Sequence, residues 1–289
     1  MSSMIRPRRS VLYMPGSNTR ALEKAKTLDA DAVILDLEDS VAPDGKADAR
    51  ALVCAAAAEG GYGRREVVIR VNGVDTPWGA DDIAAAVKAA PDAILVPKAS
   101  TAEDIERPAA LLKGTDIQLW AMLETPLAML NAKEIAATAE NPDNKLACFV
   151  MGTNDLAKET GAHLTADRLP MLSWLSTCIA AARAYGVAIV DGVYNNFKDE
   201  GGFVAECEQG VSLGMDGKTL IHPAQISPCN KAFSPSEDEI AMARKIIAAF
   251  ELPENQDKGV ITIEGKMTER LHAEMARKTV AIADAIAVG

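Results

Sequence analysis

Along the chain, short runs of apolar and mostly β-branched residues alternate with polar segments and with Ala/Leu-rich helical patterns. The runs are Ser10–Met14, Ala32–Leu37, Val67–Val71, Ala93–Val96, Ile117–Leu123, Leu146–Met151, Val187–Val190 and Lys218–Ile221. A strand buried on both faces reads as a continuous apolar run, and strands separated by helices pair in parallel. Eight such units within about 230 residues predict an α/β protein built as a (β/α)8 TIM barrel. An open doubly wound sheet usually stops at roughly five to seven strands. The first run leads into Met14-Pro15-Gly16-Ser17-Asn18, with no GxGxxG, which argues against a dinucleotide-binding fold.

Helix signals fall between the runs. Ser17 is placed to cap a helix from Asn18 to Leu28, Pro77 precedes a second, and Pro235-Ser236-Glu237 opens a third. After Phe250 the texture changes: Leu252 to Gly259 reads as a linker, Val260–Ile263 as a short strand, and about Thr268 to Ile286 as a helix. The apolar residues of that helix, Leu271, Met275, Val280, Ile282 and Ile286, need a surface to pack on. The predicted organisation is a barrel over residues 1–250 and, over 251–289, a C-terminal helical arm or lid, covering the barrel mouth or reaching a neighbouring subunit.

Composition narrows the function. Thirty Lys+Arg against 41 Asp+Glu give a net charge of −11, so the surface repels phosphate backbones, and no basic block offsets this. A nucleic-acid role is therefore not expected. No apolar stretch reaches the roughly 18 residues of a membrane helix. Arg6 to Arg9 precede too short an apolar run for a signal peptide. Cys54, Cys148, Cys178, Cys207 and Cys229 are odd in number and scattered, which suits a reducing, cytoplasmic setting.

In a TIM barrel the chemistry belongs where strands end, and these ends are polar. They carry Asp36-Leu37-Glu38-Asp39, Arg70 with Asn72, Pro97-Lys98, Glu124-Thr125-Pro126, Gly152-Thr153-Asn154-Asp155, Asp191-Gly192 and His222-Pro223. Glu124 and Asp155 are candidate ligands for Mg²⁺, which is commonly held by one or two carboxylates plus waters and substrate. Zinc is disfavoured, since none of the three His sits at ligand spacing with another His or Cys. Alternatively, Glu124 pairs with Arg70 or Lys98, and Asp155 caps the helix after Gly152. Arg70 can hold a carboxylate or polarise a carbonyl, or else form a structural ion pair. Arg20 and Lys24, four apart on one helix face, can meet phosphates or simply be solvated. His222-Pro223 either joins the chemistry or starts a helix.

The ordered succession Leu12-Tyr13-Met14-Pro15-Gly16, Asp36-Leu37-Glu38-Asp39-Ser40-Val41, Arg70-Val71-Asn72, Val96-Pro97-Lys98, Leu123-Glu124-Thr125 and Gly152-Thr153-Asn154-Asp155-Leu156 resembles the HpcH/HpaI aldolase/citrate lyase β-subunit superfamily. Asp191-Gly192-Val193-Tyr194, Gly217-Lys218, Ile221-His222-Pro223-Ala224-Gln225-Ile226 and Phe233-Ser234-Pro235 continue it, so the likeness spans roughly residues 8–280. The resemblance implies Mg²⁺ on Glu124 and Asp155, Arg70 on a substrate oxygen, and Glu38 and Asp39 near the metal's water shell. It implies Arg20 and Lys24 near CoA phosphates, with Lys98 and Gly152 lining the substrate site.

No His precedes His163, and a C-terminal tail is present, which is similar to the CoA-ester branch. That branch implies a lyase cleaving a malyl-CoA- or citramalyl-CoA-type 3-hydroxyacyl-CoA to acetyl-CoA and a 2-oxo acid, as a homotrimer or homohexamer. A malyl-CoA-type thioesterase and a citrate lyase β-like accessory subunit acting on a carrier-protein thioester are the alternatives. One departure concerns the arm, where the branch carries an Asp that reaches a neighbouring active site as acid/base. Here the segment reads Gly265-Lys266-Met267-Thr268-Glu269, which puts Glu269 in that role with a stem one methylene longer.

Overall fold

The computed structural model describes residues 6–288. All eight predicted runs form strands: β1 (Ser10–Pro15), β2 (Ala32–Asp36), β3 (Glu66–Arg70), β4 (Ala93–Val96), β5 (Gln118–Leu123), β6 (Leu146–Met151), β7 (Ala188–Asp191) and β8 (Gly217–Leu220). They pair in parallel in sequence order, and β8 closes onto β1 through Ser10 beside Lys218 and Leu12 beside Leu220. The fold is a (β/α)8 TIM barrel.

Successive strand residues face opposite ways, which produces two apolar layers. Val11, Ile34, Val68, Leu95, Trp120, Cys148, Val150 and Val190 fill the lumen, whereas Leu12, Val33, Leu35, Ile69, Ile94 and Phe149 pack against the helices. Below Trp120 the lumen is plugged by Arg8, which lies 4.8 Å over the Trp120 ring and makes a two-pronged pair with Glu66 at 2.8 Å on each prong. The N-terminal end is thus packed shut, leaving the strands' C-terminal ends as the open mouth.

One local expectation changes, and the helix-start alternative for His222-Pro223 holds. The first helix is Thr19–Ala25 and its cap is Asn18, which accepts from the Ala21 N–H, not Ser17. The turn before it is fixed by Gly16, whose N–H donates to the Asp36 carbonyl at 3.0 Å and whose missing Cβ would sit 2.3 Å from that oxygen. His222 is an N-cap, its ring accepting from the Ala224 N–H before the short helical turn Pro223–Gln225, and it stacks on Phe197.

A second compact unit takes in the chain from Ser234 onward. In it, helix Glu237–Glu251, opened by the Ser236–Glu239 capping box, packs with helix Arg270–Ala287. The strands β9 (Val260–Ile263) and β10 (Lys266–Glu269) form a hairpin turned by Glu264-Gly265, both with positive φ. Phe250, Ile261, Ile263 and Ala273 make its small core, while Leu271 and Met275 remain 50% and 63% exposed. No helix among the described residues is long and apolar enough to cross a membrane.

Candidate active site

Asp36 and Arg70 are register neighbours on β2 and β3, so their side chains meet inside the mouth. The Arg70 fork donates from Nε to Asp36 Oδ1 at 2.6 Å and from Nη2 to Oδ2 at 2.8 Å. Its remaining edge points at the loop after β2: Nη1 lies 2.8 Å from Glu38 Oε2 and 3.4 Å from Asp39 Oδ2. The guanidinium also lies 5.0 Å over the Tyr13 ring. Of the two alternatives for Arg70, the structure shows the ion pair: most of the fork is spent on Asp36, and Nη1 lies between Glu38 and Asp39. Burial alone raises Asp36, but the Arg70 hydrogen bonds and charge outweigh it and hold the carboxyl below its ordinary range.

Glu38 sits on a loop pinned from behind. Lys46, buried against Trp78, donates to the Leu37 and Glu38 carbonyls at 2.9 and 2.7 Å, and Asn72 donates to the Leu37 carbonyl at 3.0 Å. This fixes Glu38 and Asp39 as a pair of unequal exposure, Glu38 buried and the Asp39 side chain 65% exposed.

Glu124 closes β5 and is 3% exposed. Its Oε1 accepts from the Lys98 backbone N–H at 2.9 Å. Its other oxygen faces Gly152, where an added Cβ would lie 2.6 Å from Oε2 and 2.3 Å from the Glu124 Cβ, so this position admits only glycine without movement. Burial, then the nearby Glu38 charge, push the Glu124 carboxyl up to about 8, and the Asp155 charge adds to this. Asp155 lies in the first turn of helix Thr153–Thr160, where the helix dipole favours an anion. The helix cap is Gly152, so Asp155 does not cap it; its carboxylate lies 3.5 Å from Lys98 Nζ. Lys98 Nζ also donates to Glu38 Oε1 at 3.1 Å.

The mouth therefore brings together Glu38, Asp39, Arg70, Lys98, Glu124, Gly152 and Asp155. Arg20 and Lys24 stand on the exposed face of the helix after β1, with no side-chain ion pair among the described residues. Glu269 lies in the second unit, ending β10, where its N–H donates to His272 Nδ1 at 2.9 Å.

The family model for HpcH/HpaI aldolase/citrate lyase matches residues 9–223. The chain belongs to that family. Its members among the relatives are enzymes. A (3S)-malyl-CoA thioesterase of Cereibacter sphaeroides is 55% identical over 287 residues, 99% of this chain and 98% of the relative. The L-malyl-CoA/beta-methylmalyl-CoA lyase of that species is 32% identical, covering 97% of this chain and 96% of its own. Among solved structures, Mycobacterium tuberculosis CitE in complex with magnesium, acetoacetate and coenzyme A superposes with a TM-score of 0.76 at 28% identity, over 97% of this chain and 100% of that one.

For an HpcH/HpaI-family barrel, the mouth offers only oxygen donors, the set that suits Mg²⁺. Among the described residues no three His, Cys, Asp or Glu side chains converge as a closed metal cage. Two carboxylates with solvent and substrate completing the shell remain the fitting arrangement. Glu38 Oε2 is buried with no hydrogen bond beyond its 2.8 Å ion pair to Arg70, and burial and the Glu38 and Asp155 charges raise the Glu124 carboxyl. Both features are relieved by added positive charge, so the residues fit a divalent cation. Asp36 as the partner of Arg70 is the site residue that the sequence reading did not single out.

Proposed function

We propose that this chain hydrolyses a malyl-CoA-type thioester to the free hydroxy acid and CoA, with Glu124 and Asp155 holding Mg²⁺. What supports hydrolysis over carbon–carbon cleavage is the 55% identity, along nearly the whole of both chains, to a (3S)-malyl-CoA thioesterase. The aldol-type lyase expected from the sequence is the second reading, favoured by the lyase relative.

The chemistry asks for stabilised oxygen charge and a directed water. A divalent cation at Glu124 and Asp155 would polarise the hydroxy-acid oxygens of the substrate. Arg70 Nη1 is the donor for a substrate oxygen as negative charge grows on it, and its Asp36 partner keeps the fork from rotating. Glu38 and Asp39 orient the water by accepting its hydrogen bonds and take the one proton it loses on attack, the proton that the departing thiolate then receives. Water adds to the thioester carbonyl carbon, the C–S bond breaks, and the sulfur leaves as the CoA thiolate, which takes up a proton. Arg20 and Lys24 attract the CoA phosphates. Glu269, from a neighbouring copy, is the proton carrier at the acyl end, and exposed Leu271 and Met275 support an arm that packs on that copy in a homotrimer or homohexamer.

Incubation with (3S)-malyl-CoA and Mg²⁺ tests this directly. Malate plus free CoA is the expected outcome, and glyoxylate plus acetyl-CoA would hand the assignment to the second reading. A fully active monomer on light scattering would remove Glu269 from the scheme.

A further inference from the structure

Lys98 touches three acids of the mouth at once: its N–H is bound to Glu124, and its ammonium lies 3.1 Å from Glu38 and 3.5 Å from Asp155. This reach depends on an uncommon backbone. Lys98 has φ +52, a left-handed conformation that costs a non-glycine residue on the order of 1 kcal/mol and that persists where surrounding contacts hold it. The turn aims the main-chain donor and the side chain of one residue at the same cluster. Arg70 shares Glu38 through Nη1 at 2.8 Å, but the rest of its fork is paired with Asp36, and the ion pair to Asp155 is made by Lys98. The Lys98 ammonium is therefore the cation that bridges Glu38 and Asp155 beside Glu124.

An ammonium 3.5 Å from Asp155 and a divalent ion roughly 2.1 Å from that carboxylate would repel each other strongly in a half-buried site. The side chain is free to yield. It is 47% exposed, on a flexible four-carbon stem, and it lines a cavity of about 520 Å³ whose wall includes Asp75 and Asp104.

We infer that Lys98 is a built-in place-holder cation, neutralising the carboxylate cluster before Mg²⁺ binds and being expelled from between Glu38 and Asp155 when it does. Lys98 thereby sets the metal affinity of the resting enzyme. This rests on the assignment of Glu124 and Asp155 as metal ligands made above.

Two measurements on the full-length protein without substrate test it. In calorimetric Mg²⁺ titrations, Lys98→Met should bind about tenfold more tightly than wild type, since a competing charge is gone. In wild type, amine acylation followed by mass spectrometry should show Lys98 labelled several-fold faster with Mg²⁺ than without, while exposed Lys113 is unaffected. Unchanged or weaker Mg²⁺ binding by Lys98→Met, or labelling that stays constant or falls with Mg²⁺, would overturn the inference. Glu124→Gln separates the two layers. If wild type takes up no Mg²⁺, or Glu124→Gln takes it up equally well, the metal assignment fails and Lys98 with it. If binding needs Glu124 but ignores Lys98, only the place-holder role is lost.

Discussion

Replacing Glu124 by Gln should make the metal-free protein more stable, by an amount that grows with pH. The folded carboxyl is raised from its ordinary 4.5 to about 8, chiefly by burial. Between those two values the unfolded chain has lost its proton while the folded one retains it, so folding becomes progressively less favourable as pH rises. At pH 7 the gap from 4.5, at ~1.36 kcal/mol per pH unit, amounts to about 3 kcal/mol. At pH 5 it is under about 1 kcal/mol. Gln cannot ionise, and its amide oxygen can still accept the Lys98 N–H, so the variant escapes this slope. Glu38, raised mainly by burial as well, contributes a slope of the same sign to both proteins, and this cancels in the difference to first order. Urea unfolding of both proteins in chelator at pH 5, 6, 7 and 8 reads the effect. The advantage of Glu124→Gln should widen across that range and then level off. A difference that does not move with pH would show that Glu124 is ionised in the metal-free fold, and the electrostatic account of the mouth would fail with it. Added Mg²⁺ should stabilise wild type and leave the variant nearly unchanged.

Gly152→Ala introduces a Cβ 2.3 Å from Glu124 Cβ and should cost about 1–3 kcal/mol in urea unfolding while weakening Mg²⁺ binding measured by calorimetry. Lys218 is fully buried between β8 and the helices, bound to Asp191 Oδ2 at 3.1 Å, the Gly192 carbonyl at 2.6 Å and Glu206 at 2.6 Å. Lys218→Met strands Glu206 and part of Asp191, so thermal or urea unfolding should report a loss of about 3–5 kcal/mol. Arg20→Ala with Lys24→Ala should raise KM for the CoA ester several-fold with kcat nearly constant, and the effect should shrink at high ionic strength in initial-rate assays. An unchanged KM at low salt would remove these residues from the phosphate site.

The barrel was legible because its signal is local and repeated. Each strand is buried on both faces, so Ala32-Val33-Ile34-Leu35 or Ala93-Ile94-Leu95-Val96 stands out as an unbroken apolar run whatever the strand pairs with. The polar residues closing those runs were legible for the same reason, and Glu38, Arg70, Lys98, Glu124 and Asp155 do gather at one mouth. Pairing between them was not legible. Asp36 meets Arg70 only through the β2–β3 register, and Arg168, from a loop with no periodic signal, reaches Asp191 at 2.7 Å across 23 positions. Lys218 reads as the opening residue of an apolar run, and its role depends on Asp191 lying beside it in the β7–β8 register. Tertiary register, invisible until strand order is known, decides which charges are structural and which face the cavity.

That distinction bears on what the mouth can bind. Asp36, Glu38, Asp39, Glu124 and Asp155 face Arg70 and Lys98, with Lys46 spent on the Leu37 and Glu38 carbonyls behind them, and Asp36 already consumes most of the Arg70 fork. A CoA ester of a hydroxy acid brings a carboxylate and phosphates of its own. Without further positive charge, its acid end would approach a rim on which carboxylates outnumber their partners, and Coulomb repulsion at a half-buried site is too strong for hydrogen bonds alone to offset. Keeping Glu124 protonated removes one negative charge, but it also leaves the site one ligand short. On the proposed reading a divalent cation would resolve both: Glu124 and Asp155 would hold it as carboxylates, it would supply two positive charges, and the Lys98 ammonium would be left for the incoming anion. Substrate affinity should therefore depend on Mg²⁺ far more steeply than the fold does, because the barrel's apolar layers are complete without it.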